Sequence, residues 1–578
     1  MTRVFNFLIL LTGLTIFLGC QTENTTEQAS PTISFDPLDY VDPYIGTDYH
    51  GHVFLGANMP FGAVQVGPTN FTRGWDWCSG YHYSDSVMIG FAQTHLSGTG
   101  IGDLGDVMLM PYTGPAKTNP GTQEAPFSGY ADLYSHDQET AEAGYYQVKL
   151  LNNNITVDLT ASKRVGFHKY TFPKAEEAHI AVDIAGGIGW DDAIEGVIQK
   201  VDDQTILGHR FSKGWAKDQR LFYAIKLSKP MKGIQMVKDD TFVDGTEITD
   251  QYVRAMLNFD TEEGEIIYAK VGISPVSAEN ALANIEAEIP DWDFNQHQEN
   301  AQESWRQELS KINIAQASES VKRNYYTGFY HLMIFPALFN DHNGDYRGTD
   351  KKVYEGADFE NYTIFSLWDT YRAAHPFFTI THPEESSDFI NSMLAISDHQ
   401  GRLPVWHLAG NETYTMVGYH AIPPIVDAYF KGLEGFDIER AYEAIIKTAL
   451  ETEDGDGLKF VNDFGYVPAD SAEASVSKGQ EYAIDDWCIA QLAKSLGKDD
   501  DYDLFMERSR FYQNYFDPST KFFRGKMADG SWRTPFDPFY IVHMESDFTE
   551  GNAWQYLWLA PHDVEGLVEL QGSEANFI

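Results

Sequence analysis

In the first half of the chain, apolar and polar residues alternate in short runs. Tyr146, Val148 and Leu150 are interleaved with Gln147 and Lys149; Asn152-Asn153-Asn154 is a turn signal; Ile155, Val157 and Leu159 resume the alternation on its far side. A period of two places every second side chain on one face, the signature of a half-buried strand. Val165, Phe167, His168, Tyr170 and Phe172 continue the pattern, and the segments 180–184, 221–227 and 266–273 repeat it. Many short strands separated by turns predict an antiparallel β-sandwich over residues 35–276 rather than a parallel sheet.

After Val276 the apolar period lengthens to that of a helix. Residues 277–288 and 301–311 read as connecting helices in a linker, 277–320. Ile422, Ile425, Val426 and Tyr429 fall at i, i+3, i+4 and i+7; Ile438, Ala441, Tyr442 and Ile445 do the same, with Asp437 placed to cap. Leu504, Arg508, Phe511, Tyr512 and Tyr515 read as one helical face, and Asp485-Asp486-Trp487 sits in a helix expected over 481–496. Helices at this density with short loops predict a helical toroid over 321–578.

Composition narrows the function. The chain has 578 residues and a formal net charge of -44, a surface that repels phosphate backbones and excludes nucleic acid as a partner. Aromatic residues make up 14% of it, which suits both large cores and flat surfaces for sugars. The N-terminus carries a targeting signal: Arg3, then an apolar run from Phe7 to Leu18 too short to span a bilayer, ending at Phe17-Leu18-Gly19-Cys20. This reads as a signal peptide over 1–19 with lipidation at Cys20 and a polar tether over 20–34, anchoring the protein to the outer membrane on the periplasmic side or the cell surface. Cys78 and Cys488 are too few and too far apart for a disulfide framework or a zinc site.

Four clusters carry candidate chemistry. The first runs from Val41-Asp42-Pro43-Tyr44-Ile45-Gly46-Thr47 through His52 and Trp75 to Thr94-His95-Leu96-Ser97-Gly98-Thr99-Gly100; Trp75 can stack on a sugar, whereas isolated histidines such as His52 and His95 are expected to be structural. The second contains Trp368, Asp369 and Arg372; Asp369 and Arg372, three apart, can either bind adjacent sugar hydroxyls or pair with each other. The third places Asn411 and Glu412 on an exposed loop, as rim residues of a polar pocket. Near the fourth, Glu481 and the solvated-looking pair Asp485-Asp486, little can be said from spacing alone. A separate stretch, Thr549-Glu550-Gly551-Asn552-Ala553-Trp554-Gln555-Tyr556, sets a carboxyl group among aromatic rings, the equipment for protonating a glycosidic oxygen. Helical spacing would set Trp554 one turn beyond Glu550, with Tyr556 and Trp558 completing apolar surroundings that raise the pKa of the acid.

In this order the clusters resemble glycoside hydrolase family 92, bacterial α-mannosidases; Gly80-Tyr81-His82-Tyr83-Ser84-Asp85, Ser366-Leu367-Trp368-Asp369-Thr370-Tyr371-Arg372, Gly410-Asn411-Glu412-Thr413, Asp485-Asp486-Trp487-Cys488 and the stretch around Glu550 carry the likeness. The resemblance implies an N-terminal β-sandwich on an (α/α)6 toroid. It implies inverting, Ca2+-dependent release of terminal α-linked mannose, α-1,2 among the linkages, from mannose-containing glycans such as N-glycans and mannan. Glu550 falls on the general acid, Trp75 on a sugar-binding tryptophan, and Trp368, Asp369, Arg372, Asn411 and Glu412 on substrate-binding stretches; the calcium ligands are not identified. The general base of the family lies beyond the acid stretch, so the expectation is a chain that lacks its base, carries an incomplete toroid and turns over little by itself. The alternatives are a glycan-binding surface lipoprotein, or another exo-glycosidase or a phosphorylase on the same plan.

Overall fold

A computed structural model describes residues 35–451, 457–542 and 545–578. The targeting segment, Cys20 and the tether lie outside the described residues. Among the described residues no helix is long and apolar enough to cross a membrane.

The β-rich half is two antiparallel sheets. One, of eight strands, has Met108–Thr113, Ala175–Asp183 and Val253–Thr261 at its centre; the other, of nine, is built around Gln219–Leu227, Glu265–Ser274, Val165–Phe172 and Ile155–Ala161. Register follows the alternation read from the sequence: Tyr170 lies opposite Ile267 on one side and Val157 on the other. Val66, Leu109, Ile180 and Leu257 from one sheet and Tyr146, Val157, Tyr170, Tyr223 and Val271 from the other are fully or almost fully buried in a single apolar cluster. The expected order, sheets first and helices after, is the one observed.

The helices expected as a linker are packed onto the sandwich. Helix Ala278–Glu288, capped by the Ser277 hydroxyl, joins Ala281 and Ile285 to Val165, Phe167 and Ala224 in a second apolar cluster. Gly272 permits this approach, since a Cβ there would stand 2.3 Å from the Ala281 carbonyl oxygen. Helix Phe294–Leu309 buries Trp305, whose Nε1 donates to the Asn58 carbonyl at 2.8 Å.

Further rivets join the β-rich and helical regions. The Arg164 guanidinium donates to Glu288 at 3.0 Å, the Asn340 carbonyl at 2.6 Å and Glu360 at 2.9 Å. Leu96, Leu104 and Ala216 from the first region share an apolar cluster with Ala337, Ile364, Trp406 and Leu408 from the second. The helical face expected through Tyr515 is interrupted: helix Asp499–Arg508 ends, and a 3-10 turn, Phe511–Tyr515, follows. The break coincides with Arg508, drawn into the core to donate from Nε to Asp486 at 3.0 Å. Cys78 and Cys488 are free thiols.

Candidate active site

The site is organised by one helix, Ser475–Ser495, which is buried on nearly every face. Tyr515 crosses it at Gly479, where a Cβ would meet the Tyr515 hydroxyl at 2.2 Å. On this helix Glu481 and Asp485 are one turn apart, so their side chains point the same way. Together with Asp486 they are fully buried, contrary to the expectation of a solvated acidic pair.

Burial of a carboxylate requires partners. Glu481 has four: Trp368 Nε1 at 3.0 Å, the Tyr371 hydroxyl at 2.7 Å, Arg372 Nη2 at 2.5 Å and the His420 imidazole, with Nε2 3.4 Å away. Asp485 accepts from His420 Nδ1 at 2.7 Å and the Tyr419 backbone N–H at 3.0 Å; Asp486 accepts from the Tyr419 hydroxyl and Arg508. Burial alone would favour the neutral His420 ring, but Asp485 and Glu481 outweigh it and bring its pKa up to about 9. Burial would likewise raise Glu481; His420, Arg372 and Tyr371 outweigh it and hold the carboxyl down to about 2. An imidazolium between two carboxylates is therefore a fixed charge cluster near neutral pH.

Arg372 is the outer member. It pairs with Glu481 rather than Asp369, which accepts instead from the Ser366 hydroxyl. The separation arises because helix Leu367–Thr370 ends before Arg372 is reached. With 39% of its side chain exposed, Arg372 keeps a solvent-facing edge.

The Glu550 loop is stitched to the start of the same helix. The first-turn N–H groups of a helix have no internal partner; those of Val476 and Ser477 donate to the Asp547 carbonyl at 3.0 and 3.2 Å. The Ser477 hydroxyl accepts from the Thr549 N–H at 2.7 Å, and the Tyr556 hydroxyl donates to the Thr549 carbonyl at 2.7 Å. On the other side, Asn552 and Gln555 form a capping box. Glu550 thus precedes the short helix Ala553–Tyr556 instead of lying on it, and the helical spacing to Trp554 does not apply. It is exposed and adopts a left-handed backbone, φ 47°. Such a conformation in a non-glycine residue costs on the order of 1 kcal/mol and is concentrated at functional sites.

Tyr556 connects the two parts electrostatically. Its pKa is pushed up to about 12, first by burial, with the Glu481 and Glu550 charges adding to the rise and Ser477 and Arg372 opposing it. Trp554 and Trp558 are about half exposed, packing edge-on against Phe522 and Phe577.

The other expected residues occupy different settings. Trp75 is 59% exposed, with Nε1 donating to the Gly100 carbonyl at 2.7 Å and its ring centroid 4.2 Å from that of His52 in an edge-to-face arrangement. His95 is structural, bonded to the Gln65 carbonyl and Thr69. His52 is buried, yet its Nε2 lies 3.5 Å from Asp76 without a hydrogen bond. Asn411 and Glu412 are not on an exposed rim. Asn411 is buried, bonding to the Asp218 backbone and accepting from Lys351 Nζ at 2.9 Å; Glu412 accepts from the backbone N–H groups of Val405, Trp406 and Tyr414. Their polar atoms satisfy backbone groups of the loop itself and, for Asn411, of Asp218, a demand that composition does not reveal.

Calcium binds through six to eight oxygens, usually several of them carboxylate. Among the described residues, no group of three or more His, Cys, Asp or Glu is placed to hold a metal. The buried carboxylates are committed to His420, Arg372 and Arg508, so this donor set does not fit the cation.

Sequence spacing missed Glu481, His420 and Tyr371 as members of the site. A signal was present: two acids at i and i+4 on one helix and a histidine two residues after a glycine, Gly418-Tyr419-His420.

A strained, solvent-facing carboxyl group beside a preorganised Arg–Trp–carboxylate cluster, at the helical half of a sheet-and-helix protein, fits a hydrolase that handles polar, ring-shaped substrates. Its family is shown by direct comparison: the chain belongs to glycosyl hydrolase family 92, whose N-terminal domain matches residues 40–274 and whose catalytic domain matches residues 280–578. Among solved structures it is similar to the family GH92 alpha-mannosidase BT3965 from Bacteroides thetaiotaomicron, at 40% identity and TM-score 0.90, covering 94% of this chain and 73% of that one. The family GH92 inverting mannosidase BT2199 from the same species matches at 29% identity and TM-score 0.86 with the same coverage. A protein described as an uncharacterized secreted glycosidase of Arthroderma benhamiae is 25% identical, over 94% of this chain and 73% of its own length.

Proposed function

We propose that the enzyme hydrolyses terminal α-linked mannose from glycans with inversion, Glu550 serving as the general acid. The observation that carries this reading is the exposed, strained Glu550, held between the Ser477–Thr549–Tyr556 bonds and the Asn552 capping box. The similar structures described as alpha-mannosidase and inverting mannosidase support the substrate and the stereochemistry.

In this reading the Glu550 proton passes to the glycosidic oxygen as the C–O bond breaks, and a second carboxylate, the general base, takes a proton from the water that attacks the anomeric carbon from the opposite face, giving β-mannose. A glycan that covers the exposed carboxyl excludes water, which disfavours its ionised form and keeps the proton available for transfer. Arg372, fixed by Glu481, offers its open edge to a sugar hydroxyl, and Trp75 offers a flat face. No step is routed through calcium. The similarity to a protein described as secreted, together with the N-terminal Arg3, the apolar run Phe7 to Leu18 and Cys20, supports a site of action outside the cytoplasm, with lipid attachment at Cys20.

The test is mannose release from α-1,2-mannobiose by the full-length protein, followed by proton NMR. β-Mannose is expected first. The α-anomer appearing first would overturn inversion, and no release from any α-mannobiose would overturn the substrate.

A further inference from the structure

Trp190 shares a loop seam with Trp75. Trp75 Nε1 donates to the Gly100 carbonyl at 2.7 Å, and the Trp190 backbone N–H donates to the Gly102 carbonyl at 2.9 Å. The seam is made of glycine because the approach is close: a Cβ at Gly100 would meet the Trp75 ring at 3.0 Å, and one at Gly102 would meet Gly189 Cα at 2.8 Å. One indole therefore stands at each end of a short backbone stretch, and both are largely exposed, at 59% and 64%.

Trp190 is held in that position. The next residue, Asp191, is buried, with its carboxylate bonded to Arg210 and to the Ser212 hydroxyl. A rigid backbone that presents an indole to water leaves apolar area exposed without a packing gain, the behaviour of a surface waiting for a flat partner.

Opposite the indole runs the turn between strands Thr205–Lys213 and Gln219–Leu227. Trp190, Asp192, Lys213, Gly214 and Lys217 line an open groove of about 600 Å³. The turn is as firmly held as the indole. Trp215 donates from Nε1 to the Thr415 hydroxyl at 2.9 Å and packs 4.3 Å from Trp406, and the Ala216 N–H donates to Asp103 at 3.0 Å. Among the described residues, neither Lys213 nor Lys217 has a carboxylate partner, although the chain has 85 acidic against 41 basic residues.

We propose that Trp190, Lys213 and Lys217 form a distal glycan subsite. The indole stacks on the apolar face of a pyranose, the two ammonium groups donate to its hydroxyls, and the sugar held there is more remote from the cleaved bond than the one at Trp75. The identity of that sugar as mannose rests on the function proposed above; the rigid groove does not.

The experiment is calorimetric titration of the full-length protein with α-mannobiose and with a linear α-mannopentaose, in a Glu550→Gln background so that neither is consumed. The pentasaccharide is expected to bind more tightly than the disaccharide. Trp190→Ala should weaken the pentasaccharide about tenfold, the loss of about 1.4 kcal/mol, and leave the disaccharide within about twofold. Lys213→Gln with Lys217→Gln should weaken only the pentasaccharide, by about threefold, a smaller loss on the same scale. The proposal is overturned if both glycans bind equally, if Trp190→Ala weakens both alike or neither, or if the groove instead captures a protein. Mannose release by the unsubstituted enzyme is read separately, so a failure of the mannosidase reading is distinguishable from a failure of the subsite.

Discussion

Glu481 and Glu550 both act electrostatically on Tyr556, and the differences between their settings separate positioning from chemistry. On helix Ser475–Ser495, Glu481 and Asp485 have no exposure, and their partners include a histidine, an arginine, a tyrosine hydroxyl and an indole. On the loop beyond Asp547, Glu550 is exposed and backbone-strained. Glu481, held by His420, Arg372 and Tyr371, is stabilised as an anion and gives up its capacity to donate a proton. Glu550 instead faces solvent on a strained loop, where a bound glycan can reach it.

The sharpest way to break this comparison is to neutralise each carboxylate. Glu550→Gln is expected to lower kcat on an α-mannobiose by about 10²- to 10⁴-fold, the usual contribution of a general acid, while shifting stability by less than about 0.5 kcal/mol, as for other exposed positions. Steady-state kinetics beside a thermal melt reads both. Retained kcat, or a large fall in melting temperature, would erase the distinction.

Glu481→Gln should behave in the opposite sense. It strands the buried His420 imidazolium and loosens Arg372, and breaking a buried ion pair costs about 3–5 kcal/mol. A drop in the denaturant midpoint is expected, with KM rising as Arg372 loses its fixed orientation. A variant as stable as the parent would show that the carboxylate was not needed to hold the cluster.

The legibility of the sequence follows the same divide. The strand Val165–Phe172 has the bounds that the apolar pattern gave, although both its faces are covered, Tyr170 and Phe172 by the sandwich core and Val165 and Phe167 by the cluster under helix Ala278–Glu288. Helix Ser475–Ser495 starts well before the expected Glu481, since an element buried all round shows no amphipathic period to mark its start. The acid-bearing stretch around Glu550 was visible as aromatic rings around a carboxyl, but its setting, a loop before a helix, depends on the capping box at Asn552 and on bonds from distant Ser477. Asn411 and Glu412 looked like rim residues because polar loop residues usually are; only the folded chain supplies the buried backbone groups they satisfy.

The charge cluster also sets a pH window. His420 rises from the ordinary 6.5 to about 9, so its contribution to stability is complete below about pH 6.5 and is lost as pH climbs through 9. Glu481 falls from 4.5 to about 2, so its contribution is complete above pH 4.5 and is lost as pH drops through 2. Stability from this pair is therefore greatest between those limits, from pH 4.5 to 6.5. Melting temperatures from pH 6 to 9.5 should decline more steeply for the parent than for His420→Gln, which has no proton to lose. Parallel curves would mean that the ring is neutral throughout, and that the buried carboxylates repel each other without a cation between them.

The smallest expected effect tests whether the rivets between the two regions matter as much as the charge cluster. Trp215 fills a gap beside Trp406 and donates to the Thr415 hydroxyl at 2.9 Å, beside the backbone where Asn411 and Lys351 lock the loop. Trp215→Phe keeps most of the apolar contact and removes the donor. A hydrogen bond of this kind is worth about 1 kcal/mol, so a slight fall in the denaturant midpoint is expected, with kcat on an α-mannobiose unchanged. A fall in kcat comparable to that of Glu550→Gln would move the centre of the chemistry away from the Glu550 loop and towards the seam between sheet and helix, because a substitution that leaves Glu481, Arg372 and Glu550 in place would then have disturbed the reacting atoms.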